Sequence, residues 1–119
     1  MEWIALTSDE QLEEIKNQSN LPNLSGVAIF KHSTRCSISS MIKSRFERSW
    51  DIPQKILPIY YLDIIAFRSI SDEIASDFNV EHQSPQLLLI KKGECIYNAS
   101  HNQIAVDSVK DVLVLGLQE

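Results

Sequence analysis

The chain has 119 residues, 44% of them hydrophobic, and a formal net charge of −5. That acidity excludes non-specific nucleic-acid binding, which needs a basic face, and no run approaches the ~20 apolar residues of a membrane helix. The length suits one compact domain over residues 1–119. Met1 to Ile15 carries acids and no long apolar run, so no secretory signal is read there. The expectation is a cytoplasmic, reducing compartment in which Cys36 and Cys95 stay free.

Trp3 to Leu6 predicts a short first strand. Thr7-Ser8-Asp9-Glu10 fits a capping box, with Thr7 as N-cap and Glu10 reaching back. The helix behind it places Leu12 and Ile15 on one face and ends before Asn20-Leu21-Pro22. Gly26 to Lys31 is apolar, short and bounded by turn residues, which predicts a buried strand. Behind Cys36 a helix follows, with Ile38, Met41, Ile42 and Phe46 as one apolar stripe. Pro53 and Pro58 bracket its exit loop. Ile59 to Ile65 is rich in β-branched and aromatic residues and reads as a second central strand.

Ser69-Ile70-Ser71-Asp72 offers an N-cap to a third helix lined by Ile70, Ile74, Ala75 and Phe78. Gln86 to Ile90 and Glu94 to Tyr97 flank Lys91-Lys92-Gly93, where Gly93 supplies the positive φ of a tight hairpin. A last helix spans about Ala105 to Leu115, with Val109, Val112 and Leu113 inward and Gly116 as its stop. Alternating strands and helices followed by a hairpin imply an α/β fold. Its sheet is mixed, with helices on both faces and a C-terminal β-hairpin plus helix.

Cys36 is the residue with chemistry to offer. It sits where a strand hands over to a helix, so N–H groups point outward and the local field is positive. That field favours the thiolate, the form that attacks disulfides. Ser39 occupies the position where a two-cysteine redox site has its second thiol, giving Cys36-x-x-Ser39. Thr34, Arg35 and Ser37 make the immediate surroundings polar. Ser39 is either a solvated helix residue or a hydrogen-bond donor to the thiolate. Ser84-Pro85 stands at the start of a strand, where proline costs no ladder hydrogen bond. A cis bond there would turn the chain sharply and expose Ser84 backbone beside the thiol. His32, His82 and His101 lack helix-face ligand spacing and no C-x-x-C pair exists, so no metal site is expected. Cys95 alternates with apolar neighbours, which reads as core.

Together these pieces resemble the thioredoxin superfamily and, more narrowly, the YtxJ or monothiol bacilliredoxin family. The matching residues are Lys31-His32-Ser33, Cys36, Ile38-Ser39, His82 with Ser84-Pro85-Gln86, Lys92-Gly93-Glu94, and Ala99-Ser100-His101. The family usually has proline after the cysteine, where this chain has Ser37. The resemblance implies a thioredoxin-like fold with cis Pro85 and no tightly bound cofactor. It implies a monothiol thiol-disulfide oxidoreductase that removes bacillithiol, its co-substrate, from S-thiolated client proteins. Cys36 is then the catalytic residue, and His82, Ser84, Pro85 and Gln86 receive the substrate. A low-molecular-weight thiol and a separate reductase must clear Cys36. Arg35 suits the malate carboxylates of bacillithiol or is simply exposed. Two alternatives stay open: a binding module with Cys36 as a redox-sensing switch, and a dithiol enzyme that pairs Cys36 with Cys95.

Overall fold

The apolar run after Gly26 forms the centre of the molecule. In the computed structural model, which describes residues 1–117, Val27–His32 is a strand in which every residue is buried. Side chains alternate across a strand with period two. Val27 and Ile29 therefore enter one hydrophobic core, and Ala28 and Phe30 enter another. Lys31 and His32 continue the alternation, so one polar residue faces each layer of helices.

The strands are β1 (Ile4–Ala5), β2 (Val27–His32), β3 (Ile59–Asp63), β4 (Gln86–Lys91) and β5 (Glu94–Ser100). Across the sheet they run β1-β3-β2-β4-β5. β1 and β2 both pair parallel with β3, while β4 pairs antiparallel with β2 and β5. Helices α1 (Asp9–Gln18) and α3 (Arg68–Asp77) cover one face through Leu12, Ile15, Ile70 and Ile74. Helices α2 (Ser37–Ser49) and α4 (Val106–Leu117) cover the other through Ile42, Phe46, Val106 and Val109. The expected mixed sheet with helices on both faces is the observed one. Among the described residues no helix is long and apolar enough to cross a membrane.

Several local expectations shift. The cap of α1 is Ser8, whose Oγ accepts from the Gln11 N–H at 3.3 Å. Gln11 Oε1 reaches back to the Thr7 N–H at 2.7 Å, so the box sits one residue later than Thr7 and Glu10 predict. Strand β3 stops at Asp63 because its carboxylate takes the N–H of Ile65 at 2.9 Å and turns the chain. Helix α3 begins at Arg68, so Ser69 and Ser71 lie inside its first turn rather than capping it. Strand β5 continues to Ser100, three residues past Tyr97. Helix α4 runs through Gly116, a residue that weakens a helix by about 1 kcal/mol without necessarily ending it.

The α2 stripe is corrected in phase. Ser39, Ile42 and Phe46 are its buried residues, whereas Ile38 is 59% and Met41 63% exposed. Burying Ile42 and Phe46 contributes about 1.5–3 kcal/mol each. A serine occupies the core position of the first turn, so tracking apolar residues alone misplaces the face by one residue.

At the far end of the sheet, Lys92 and Gly93 take φ of 55° and 76° between paired Lys91 and Glu94, so the expected tight hairpin has a two-residue turn and Lys91 belongs to β4. Gly26 has φ of 153°, and a Cβ there would lie 2.8 Å from the Ile90 carbonyl oxygen. Only glycine allows β2 to start this close to β4.

Candidate active site

Strand β2 ends at His32, and the turn through Ser33, Thr34 and Arg35 delivers Cys36 as the N-cap of α2. The Cys36 N–H donates to the Ser33 carbonyl at 3.2 Å, and the Cys36 carbonyl accepts from the Ser40 N–H at 3.1 Å. Cys36 is exposed, as are Thr34, Arg35 and Ser37. No acidic residue stands in the first turn. The Cys36 side chain makes no cap hydrogen bond to the helix N–H groups, but the residue stands at the positive end of the helix dipole with a cationic Arg35 next in the chain.

Ser39 is not a solvated helix residue. It is wholly buried, with Oγ 2.6 Å from His32 Nδ1 and accepting from the Ser33 N–H at 3.3 Å. Its hydroxyl therefore joins the end of β2 to the first turn of α2 instead of donating to the thiolate. These bonds fix the turn that holds Cys36. His32 is 5% exposed and packs against the Tyr61 ring at 5.7 Å. Burial, and then the nearby Lys43 ammonium, hold its imidazole below the ordinary histidine value. His32, the buried partner of Ser39, is the residue that reading the motif alone leaves without a place. Its signal is the period-two alternation that puts it in phase with Ala28 and Phe30, facing α2.

Behind this pair, Lys43 lies 5.1 Å from the centroid of the Trp3 ring and 5.2 Å from that of Tyr61, and it is ion-paired to Glu47. Trp3 Nε1 donates to the same carboxylate at 2.8 Å. The lysine hydrogen bond to Glu47, with help from Trp3, keeps that carboxylate below its usual range. These contacts bind α2 to the strands beneath it.

The second half of the site comes from the loop before β4. The Ser84-Pro85 peptide bond is cis. Gln86 pairs with Lys31, so in the antiparallel register Pro85 falls beside His32, at the end of the sheet from which the Cys36 turn departs. The Pro85 carbonyl accepts from the His101 backbone N–H at 3.0 Å. Ser84 Oγ is buried with no hydrogen-bond partner.

Gln86 is corrected. It is 1% exposed, its Nε2 donates to the Glu81 carbonyl at 3.0 Å, and its Oε1 accepts from the Gln83 N–H at 3.4 Å. Gln86 therefore shapes the loop from inside and offers no side-chain group to a substrate. His82 is half-buried, with Nδ1 3.3 Å from Lys31 Nζ and 3.1 Å from Ser71 Oγ.

Cys95 stands apart. It pairs with Ile90, which in turn pairs with Val27 at the start of β2. Cys36 lies beyond the other end of that strand, five residues or about 16 Å further on. A disulfide needs Cα atoms within about 7 Å, so the two cysteines cannot join within one chain in this fold. Burial pushes the Cys95 thiol up, and its Sγ donates to the Tyr97 carbonyl at 3.3 Å.

The comparisons with known proteins agree with this geometry. The family model for monothiol bacilliredoxin BrxC matches residues 4–109. A solved structure described as a proposed oxidoreductase with a thioredoxin fold is 33% identical, with a TM-score of 0.71, covering 91% of this chain and 90% of the other. Thioredoxin from Malassezia sympodialis is 17% identical at a TM-score of 0.71, over 97% of this chain and 90% of its own. A reduced Schistosoma mansoni thioredoxin pre-protein is 21% identical at a TM-score of 0.63, over 97% and 98%. The last two show the fold alone. A family match over most of the chain, a 33% identical oxidoreductase of the same fold and an exposed cysteine at the N-cap of α2 lead to one conclusion: this chain belongs to the monothiol bacilliredoxin family, has the thioredoxin fold, and serves a thiol redox role.

Proposed function

We propose that the protein is a monothiol thiol-disulfide oxidoreductase that removes bacillithiol from S-bacillithiolated proteins through a mixed disulfide on Cys36. The observation that carries this reading is the pairing of an exposed Cys36 with a buried Ser39 at the position of a second thiol. The Cys36 thiolate attacks the bacillithiol sulfur of the client's mixed disulfide. A new S–S bond forms on Cys36, the old one breaks, and the client cysteine leaves as a thiolate. No electrons are gained or lost overall in that exchange.

With no second thiol in reach, the adduct waits for an outside one. A free bacillithiol thiolate attacks it, releases Cys36 and yields the bacillithiol disulfide, which a separate reductase returns to thiol. Arg35, exposed beside Cys36, suits the malate carboxylates of bacillithiol. Backbone groups of Ser84 and the Pro85 loop suit an extended client segment. The reaction belongs in the cytoplasm, where thiols are kept reduced.

The test offers a bacillithiolated client and follows both proteins by intact mass. The adduct should move to the wild type and fail to move to Cys36→Ser. Absence of transfer at every pH from about 6 to about 9, the range in which thiols ionise, rejects the reading.

A further inference from the structure

The mechanism above leaves one buried cation without a task. Lys31 is fully buried, yet its ammonium has no carboxylate partner among the described residues. Nζ donates to the Ser71 carbonyl at 3.2 Å and approaches His82 Nδ1 at 3.3 Å. A buried lysine costs stability unless something offsets it, so its retention needs a reason.

An ammonium has only hydrogens to offer, so His82 Nδ1 must accept from it. The Ser71 hydroxyl, 3.1 Å away, can donate to the same nitrogen once that nitrogen is bare. An Nδ1 that accepts from the ammonium leaves the ring proton on Nε2. An imidazolium would instead aim an N–H at the ammonium. His82 Nε2 has no partner among the described residues, and it is not sealed from solvent. The groups around it agree. Burial holds His82 below its ordinary value, Lys31 and Arg68 act in the same direction, and Asp72 opposes them.

We infer that Lys31 is a positioning residue: with Ser71 it holds His82 as the neutral tautomer protonated on Nε2, beside the loop that carries Ser84 and Pro85. On the same face of the sheet Gln86, the cross-strand partner of Lys31, secures Glu81 and Gln83 of the same loop. The loop is thus fixed from β2, α3 and β4 together, and one N–H of His82 remains unspent for a client backbone carbonyl. This rests on the reading that the loop receives the client.

The test combines tautomer and kinetics. Long-range nitrogen–proton correlation spectra of labelled protein should show wild-type His82 with bare Nδ1 and protonated Nε2 at neutral pH. Lys31→Met keeps length and burial, and Ser71→Ala removes the second donor in a separate variant. Each should admit the Nδ1–H tautomer and raise KM for a bacillithiolated client about fivefold, the scale of one hydrogen bond, with kcat within about twofold. A wild-type ring protonated on Nδ1, or both variants retaining wild-type KM and tautomer, overturns the assignment of Lys31 while exchange persists. A wild type without any exchange overturns the functional reading, and with it the part Lys31 plays in catalysis. The two failures are therefore told apart.

Discussion

Ser39 Oγ lies 2.6 Å from His32 Nδ1, and both residues are buried under the turn that presents Cys36. The position that holds a second thiol in a dithiol site here holds a structural hydroxyl. Ser39→Ala should leave His32 Nδ1 and the Ser33 N–H unpaired at a cost of about 1–3 kcal/mol, read as a lower urea midpoint. Residues three apart on a helix lie on one face, within disulfide range. Ser39→Cys should therefore form an internal disulfide on mild oxidation, seen as a loss of two hydrogens by intact mass. An oxidised variant that keeps both thiols would contradict the placement of Ser39.

The wild type should behave differently. Its two thiols stand at opposite ends of β2, so oxidation of dilute monomer should give adducts or dimers without any two-hydrogen loss. Brief alkylation at neutral pH should mark exposed Cys36 well ahead of Cys95, whose thiol is half-buried and pushed up by burial. Peptide mapping gives the order of labelling.

Lys31 makes stability depend on pH in a defined direction. Burial lowers its pKa from 10.5 to about 8. Below about 8 both folded and unfolded chains carry the charge, and the folded state bears the full cost of burying it. Between about 8 and 10.5 the folded chain has released a proton that the unfolded chain still holds, so stability rises with pH. Lys31→Met removes this rise. It should be more stable than the wild type at pH 7 by about 1–2 kcal/mol, allowing for screening by solvent that reaches His82, with the gap closing toward alkaline pH. The raised Tyr60, Tyr61 and Cys95 groups act against stability at high pH in both proteins, and so cancel in the comparison. Paired urea titrations across that range measure it.

Gly26→Ala should destabilise by about 2 kcal/mol or more, because φ of 153° and the 2.8 Å approach to the Ile90 carbonyl both resist a side chain. Exchange chemistry at the other end of the sheet should be unaffected in the folded fraction. A neutral substitution would contradict the close approach of β2 and β4.

Much of this arrangement is legible in the sequence, for identifiable reasons. Strand β2 announces itself because residues buried on both faces need no polar alternation, and the Lys91-Lys92-Gly93 turn because a tight hairpin requires positive φ. Cys36 and Ser84-Pro85 are legible as short patterns at element boundaries. What stays hidden is side-chain commitment. Ser39 reads as solvated or as a donor to the thiolate because a buried serine breaks the apolar periodicity, and that same break conceals the phase of α2. Gln86 is read with the residues that receive substrate, and only the folded loop shows its amide bonded to Glu81 and Gln83. His32 and Lys31 gain their roles from partners on other elements, Ser39 on α2 and Ser71 on α3, which no local pattern couples to β2.

The central claim meets its most direct test in one mapping measurement. Bacillithiolated client is mixed with a stoichiometric amount of the reduced protein, exchange is stopped by alkylation, and the adduct is located by peptide mass. A bacillithiol mass on the peptide containing Cys36, matched by a freed client cysteine, is the predicted result; an adduct on Cys95 instead, or a client that keeps its bacillithiol, would contradict it.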